Sequence, residues 1–189
     1  MEVFRRLPPP DRRRPCALTI GNFDGVHVGH REMLAQLSAA ARARGLPVCV
    51  LTFEPHPREW FAAHPRPGAA PVTPPARIST SRDKLEALAE CGVDRVCIAH
   101  FNASLASQPA EEFIERIVVE GLQARCLMVG DDFRFGARRR GDYDMLAEAA
   151  PRLGFDLMRQ PTVERHGVRV SSSAVRGALA AGEFARARS

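Results

Sequence analysis

The stretch Ala17–Leu34, A-L-T-I-G-N-F-D-G-V-H-V-G-H-R-E-M-L, limits the possible folds of this 189-residue chain more than any other segment. Apolar Ala17, Leu18 and Ile20 run into a turn carrying Gly21, Gly25 and Gly29, with His27 and His30 inside it and a helical pattern after it. The order is strand, loop, helix. Glycines let backbone approach a ligand closely, and a helix starting near Gly29 turns unpaired N–H groups and its positive end toward whatever the loop holds. His27 and His30 fall near one face of the first helical turn. Two donors there can grip phosphate oxygens while a phosphorus–oxygen bond breaks. An isolated H-x-x-H reads equally well as a surface turn with two solvated histidines.

Taken whole, G-N-F-D-G-V-H-V-G-H resembles the signature of the H-x-G-H nucleotidyltransferases. More specifically, it resembles the FMN adenylyltransferase (FAD synthetase) module of prokaryotic bifunctional riboflavin kinase/FAD synthetases.

The length suits one α/β domain with a sizeable core, and a composition of 45% hydrophobic and 26% charged residues is that of a soluble globular protein. Net charge is +5, almost all of the positive charge is arginine, and Lys84 is the only lysine. Arginine is the better bidentate phosphate ligand, although scattered arginines also arise from a general preference for Arg over Lys. Cys16, Cys49, Cys91, Cys97 and Cys126 form no C-x-x-C pair, which argues against structural zinc and a disulfide framework. A reducing cytoplasm fits them. No apolar run reaches the roughly 18 residues of a membrane span, and the Arg- and Pro-rich start has no apolar segment of a secretion signal behind it.

In chain order, an edge strand at Glu2–Arg5 precedes a linker, and Cys16–Ile20 is the first core strand. His30–Arg44 reads as a helix with Met33, Leu34, Leu37 and Ala41 at helical spacing and Gly45 beyond its end. Val48–Phe53 is a near-continuous apolar run suited to a doubly buried parallel strand. It runs into Glu54-Pro55-His56-Pro57, just where open α/β sheets bind ligands. Trp60 and Phe61 follow, as a stacking platform or as core. Ala62–Pro75 is an Ala/Pro/Gly stretch expected to be a mobile loop, either a lid or a tolerated insertion. Ser81 is the expected N-cap of a helix that buries Leu85 and Leu88 and ends at Gly92. Arg95–His100 is the next strand, Ala110–Glu120 a helix with Phe113, Ile114, Ile117 and Val118 on one stripe, and Cys126–Val129 a strand leading into G-D-D-F-R-F-G. Asp131 and Asp132 there are either backbone caps or contacts to a magnesium–phosphate. Arg138–Arg140 form either a phosphate contact or a solvated loop. A helix Asp142–Leu153, a strand Phe155–Arg159 and a hairpin over Val163–Val170 lead to Val170-Ser171-Ser172-Ser173-Ala174-Val175-Arg176. Serines there cap a helix and, with Arg176 one turn in, build an anion site.

The resemblance extends through these later motifs over roughly residues 15–182: T-F-E-P-H-P resembles the family's flavin-side loop, G-D-D-F-R-F-G its G-x-[ND]-F-x-F-G, and V-S-S-S-A-V-R its I-S-S-T-x-I-R, with Ser173 where Thr is usual. It implies an α/β, Rossmann-like nucleotidyltransferase with a parallel sheet flanked by helices and a small β-containing subdomain, forming one domain over residues 1–189. It implies transfer of AMP from ATP to FMN with Mg²⁺, giving FAD and pyrophosphate. ATP would be held by Gly21, Asn22, Phe23, Asp24, Gly25, His27, Gly29, His30, Ser171, Ser172, Ser173 and Arg176, with His27, His30 and Arg176 catalytic. The flavin would lie against His56, Pro57, Phe61, Asp132 and Phe133, with Asp132 also the candidate metal contact. The riboflavin kinase domain of the bifunctional family is expected to be absent. No nucleic acid and no membrane are expected as partners, and the sequence leaves the oligomeric state open. Two other readings stay in view: the same fold with another phosphate-monoester acceptor, and a basic nucleotide-binding module without turnover.

Overall fold

Strands buried on both faces carry apolar residues at almost every position, and Cys16–Ile20 (β2) does so apart from Thr19, with all five residues at most 4% exposed. Its alternate side chains serve two cores. Cys16, Leu18 and Ile20 face one helical layer and Ala17 the other; Leu127 and Val129 against Cys126 and Met128 divide in the same way in β5 (Ala124–Gly130). The computed structural model describes every residue except Arg66, Pro67, Ala69, His166 and Ser189, together with the side chain of Arg188.

The remaining strands of the main sheet are β1 (Glu2–Phe4), β3 (Val48–Glu54), β4 (Arg95–His100) and β6 (Asp156–Gln160). The six strands run in the order β1-β4-β3-β2-β5-β6, and every pairing is parallel. The chain steps outward from β2 through β3 to β4, then returns to lay β5 on the other side of β2. Strand order therefore reverses between β2 and β5, and a ligand crevice opens at the carboxyl ends of strands at such a point.

Helices α1 (Val28–Ala43) and α3 (Ser81–Glu90) cover one face through Leu34, Leu37, Ala41 and Leu88. The other face is covered by α5 (residues 110–121) and by α6 (Tyr143–Leu153), which contribute Phe113, Ile114, Val118, Leu146 and Ala149. Short α2 (Pro57–Ala63) and α4 (Ala103–Ser107) follow β3 and β4. A two-stranded antiparallel hairpin, β7 (Glu164–Arg165) and β8 (Val168–Arg169), precedes α7 (Ser172–Ala180) and α8 (Phe184–Arg188).

Three expectations need correction. The N-cap of α3 is Thr80, not Ser81: the Thr80 hydroxyl accepts from Asp83 N while Asp83 returns a carboxylate to Thr80 N, a reciprocal box that Ser81 has no partner to make. The helix expected over Ala110–Glu120 starts as α-helix at Ala110–Glu112 and continues as a π-helix over Phe113–Gly121, so that Leu122 N reaches back to Ile117 O. Its α start and π continuation together are α5. The helix after the histidine loop begins at Val28, with His27 as its N-cap, earlier than its apolar stripe announces. The mobile loop expected over Ala62–Pro75, as a lid or a tolerated insertion, falls in part on Arg66, Pro67 and Ala69, outside the described residues; Ala62 and Ala63 close α2.

Leu127 is fully buried in the middle of β5. Leu127→Ala is expected to cost about 2–5 kcal/mol by leaving a cavity between β5 and the α5/α6 layer, read as a fall in the urea midpoint with an unchanged slope.

Candidate active site at the strand-order reversal

The loop after β2 is strained and buried at once. Phe23 has φ +49° and Val26 φ +36°, conformations that L residues avoid. Their side chains are 1% and 2% exposed, so burial in the α1/α3 core is what holds the backbone there. Gly25 has φ +81°, and a Cβ on it would come within 2.7 Å of Ile78 Cγ2.

Asp24 is the anchor. Its carboxylate accepts from Ile78 N at 3.0 Å and Ser79 N at 3.2 Å, and forms an ion pair with the Arg176 guanidinium. Ser79 Oγ accepts from Gly25 N, the Ser172 hydroxyl donates to Asp24 O, and Arg176 Nε donates to Ala76 O. One carboxylate thus ties the histidine loop to the segment entering α3 and to the first turns of α7.

On this loop the rings of His27 and His30 stack, with centroids 3.7 Å apart and planes inclined by 18°, and Phe23 packs on His30 at 4.7 Å. Burial pulls His27 down from 6.5 to about 4, with the Asp24 carboxylate opposing and Arg176 reinforcing. His30 also lies well below the ordinary histidine value, through burial first and then the charges of His27 and Lys84. Both rings are neutral at physiological pH. Among the described residues Nδ1 of each is enclosed without a partner. An unpaired lone pair costs less there than an unpaired N–H, which leaves the proton on Nε2 as the donor for the cleft.

That cleft is a cavity of about 220 Å³ lined by His27, Gly29 and His30 from the β2 side, Gly130, Asp131 and Asp132 from β5, and Gln160–Val163 after β6. Ser171 and Ser172 close it. Ser171 caps α7 by accepting from Ala174 N, so the N-terminus of that helix faces the histidines. A larger space of about 680 Å³ lies beyond His27, against Val28, Ile78, Val175, Leu179 and Phe184. It contains neither acid loop nor His30, and we assign the chemistry to the smaller one.

The expected residues do not all meet. Arg176 lies outside the lining of this cavity and pairs with Asp24 through one terminal nitrogen and with Ala76 O through Nε. Asp132 sits on the cavity rim paired with Arg169, and Asp131 with Arg159 at 3.6 Å and Thr162 N at 3.2 Å. Ser173 is exposed, and Phe133 stacks on Phe135 against the α5/α6 core. His56, Pro57 and Phe61 lie past β3, on the other side of β2 from Asp132. There His56 Nδ1 accepts from Arg58 N and Glu59 accepts from His56 N, which makes His56 the cap of α2 and leaves its Nε2 as the free donor of a ring held below its ordinary value by burial. Phe61, half exposed, joins Trp60 and Phe101 edge to face. Phe101 and Arg77 were missed from sequence. Arg77 binds Glu54 and Glu59 together, and only the pair of acids across a turn hints at it.

A family model described as FAD synthetase matches residues 10–174. The chain belongs to the FAD synthetase family. It is 49% identical over 171 residues to a bifunctional riboflavin kinase/FMN adenylyltransferase of Pseudomonas fluorescens, covering 90% of this chain and 52% of that protein. The proteins of the same description from Escherichia coli (strain K12) and Haemophilus influenzae are 48% and 41% identical, with 92% and 95% of this chain and 53% and 56% of theirs covered. The chain thus spans about half the length of these relatives. A solved structure described as a macrolide-efflux protein from Streptococcus pneumoniae superposes with a TM-score of 0.80 at 24% identity, over 98% of this chain and 59% of that one, and shows the fold alone.

In this FAD synthetase fold, Asp24→Ala removes the partner of a guanidinium whose side chain is only 16% exposed, so a loss of about 3–5 kcal/mol is expected, measured by urea unfolding. The histidines give stability its pH dependence. Because His27 titrates near 4 when folded and near 6.5 when unfolded, the unfolded chain takes up the proton first, and stability is expected to hold above 6.5 and to fall as pH drops toward 4. Unfolding midpoints from pH 7.5 to 4.5 check this, and a His27→Gln chain should show a shallower slope.

Proposed function

We propose that this chain transfers the adenylyl group of ATP to FMN, releasing FAD and pyrophosphate. The observation that carries the reading is the neutral, stacked His27–His30 pair sharing one cavity with the Ser171-capped N-terminus of α7, at the strand-order reversal of a FAD synthetase fold. The printed descriptions of the relatives support FMN as acceptor.

Such a transfer needs positioning and charge stabilisation more than covalent help. The nucleophile is a phosphate oxygen of FMN. It forms a bond to the α-phosphorus as the bond to the bridging oxygen breaks and pyrophosphate departs. His27 and His30 donate Nε2–H groups to the phosphates, and Gly29 between them lines the same cavity without a side chain. Unpaired N–H groups of α7, with Ser171 and Ser172 at their entrance, receive the leaving pyrophosphate. Arg176 acts as a positioning residue through Asp24. The flavin ring lies on the β3 side, against His56, Pro57 and Phe61.

A magnesium ion entering on the ATP phosphates would need one protein carboxylate, and we assign it to Asp132, which lines the histidine cavity beside Arg169. Magnesium there would neutralise phosphate charge. All five cysteines are free, burial pushes the Cys97 thiol up to about 12, and among the described residues no helix is long and apolar enough to cross a membrane. The free cysteines support a reducing, cytoplasmic setting.

The test is incubation with FMN, ATP and Mg²⁺ followed by chromatography of the flavins. FAD is expected from FMN and none from riboflavin. His30→Ala should lower the rate by about 10²-fold or more, the usual cost of removing one transition-state donor. ATP binding without any FAD would overturn the acceptor assignment.

A further inference from the structure

The segment entering α3, Ala76–Thr80, is a strap bonded at every residue. Ala76 O accepts from Arg176 Nε, Ile78 N and Ser79 N donate to Asp24, Ser79 Oγ accepts from Gly25 N, and Thr80 caps α3. Arg77, in the middle of this strap, turns its guanidinium to the loop after β3. Nη1 and Nη2 donate to the two oxygens of Glu54 at 3.0 and 2.6 Å, Nε donates to Glu59 Oε1 at 2.6 Å, and Nη2 also reaches Glu59 Oε2. A guanidinium forked onto two carboxylates fixes geometry as a single exposed ion pair does not. Arg77 is thereby a brace between two acids rather than a cation awaiting an anion.

What the brace holds is His56. The Glu59 oxygen that receives Arg77 Nη2 also accepts from His56 N at 3.3 Å, and in the same cap His56 Nδ1 accepts from Arg58 N at 3.1 Å. The chain of contacts Arg77–Glu59–His56 therefore sets the backbone of the cap and, with it, a ring whose proton is left on Nε2. Glu54, the other acid, ends β3, and its backbone O accepts from Phe101 N at 3.0 Å. Beside His56, the half-exposed Phe61 meets Trp60 and Phe101 edge to face, a ring surface on which a planar aromatic molecule can stack. We propose that Arg77 is a positioning residue for the acceptor: by holding Glu59 and Glu54 it keeps His56 and the Phe61–Phe101 surface at a fixed spacing from the Asp24-anchored histidine loop, and so sets the affinity for the flavin ring. The assignment rests on the adenylyltransferase reading above. Arg77 touches no substrate. Because Ile78 N and Ser79 N hold Asp24 through backbone, cutting the Arg77 side chain releases the acceptor loop and leaves the nucleotide side in place.

The experiment compares wild type, Arg77→Met, Arg77→Lys, Glu59→Gln and the double variant Arg77→Met/Glu59→Gln. Flavin fluorescence quenching gives the dissociation constants of FMN and riboflavin, calorimetry that of ATP, and FAD formation gives kcat and KM. Trp60, the only tryptophan of the chain, reports the setting of α2 through its emission. Arg77→Met should weaken FMN and riboflavin alike by about 10-fold, inside the roughly 10²-fold that a 1 Å misplacement costs. ATP binding should stay within about 2-fold, as for an independent site. Trp60 emission should shift, and the loss should fall on KM for FMN more than on kcat. Arg77→Lys, whose ammonium cannot fork onto two carboxylates, should restore part of the affinity. The double variant should bind flavin no more weakly than Arg77→Met, because both changes cut one chain of contacts. Should Arg77→Met fail to fold, Glu59→Gln, which keeps an acceptor for His56 N, must still weaken both flavins equally. A loss confined to FMN would mean that Arg77 acts by charge on the phosphate and overturns the assignment. So do additive effects in the double variant, an equal loss for ATP, a lower unfolding temperature with flavin binding intact, and a wild type that binds neither flavin. No FAD from FMN overturns the adenylyltransferase reading instead, while the flavin dissociation constants still judge Arg77.

Discussion

The Asp24 carboxylate is the constraint on which the site depends. Three pieces of chain far apart in sequence meet on it: the histidine loop, the Ile78–Ser79 entry to α3, and the first turns of α7 with Ser172 and Arg176. A carboxylate with two backbone donors and a guanidinium is satisfied despite burial, the condition under which a buried charge is tolerated. The strained backbone at Phe23 and Val26 becomes intelligible on this footing. Apolar burial pulls the two side chains inward while Asp24 fixes the backbone between them, so the loop has one conformation and the imidazoles one place to stand.

A division of labour among the charges follows. The arginines around the cleft are engaged with carboxylates: Arg176, which the sequence placed at an anion site, with Asp24, Arg77 with Glu54 and Glu59, and Arg169 with Asp132. A planar guanidinium that can satisfy two oxygens or two residues at once is well suited to bracing loops. The groups left that would suit anions are uncharged donors, the Nε2–H of His27 and His30 and the N–H groups of α7. Neutral donors bind a developing negative charge without a strong grip on the ground state, which is what acceleration of a transfer step requires.

Much of the architecture was legible because each signal was local and redundant. Cys16–Ile20 and Val48–Glu54 are apolar at almost every position, which only a doubly buried strand demands, and His27-Val28-Gly29-His30 marks the helix entry by residue type alone. Ser171 was readable as a cap because the serines precede a helical pattern. What escaped depends on partners distant in sequence or on a contest between neighbours. Thr80 wins the cap over Ser81 because Asp83 lies three residues on. The π-helix at Phe113–Gly121 has the same apolar stripe as the α-helix expected there. The commitment of Arg176 is decided by Asp24, 152 positions away.

The placement of the acid loop and the E-P-H-P loop on opposite sides of β2 bears on how two anionic substrates share one crevice. Strand order puts the loop after β5 beside the histidines and the loop after β3 on their other flank. A nucleotide in the β2/β5 crevice and an acceptor entering over β3 would therefore approach His30 from opposite directions. In-line displacement requires that the attacking and leaving oxygens lie on opposite sides of the phosphorus. A sheet that reverses its strand order at β2 supplies this opposition through connectivity alone, before any side chain is chosen. The histidine loop, at the strand where the order turns, then becomes the common wall of both approaches.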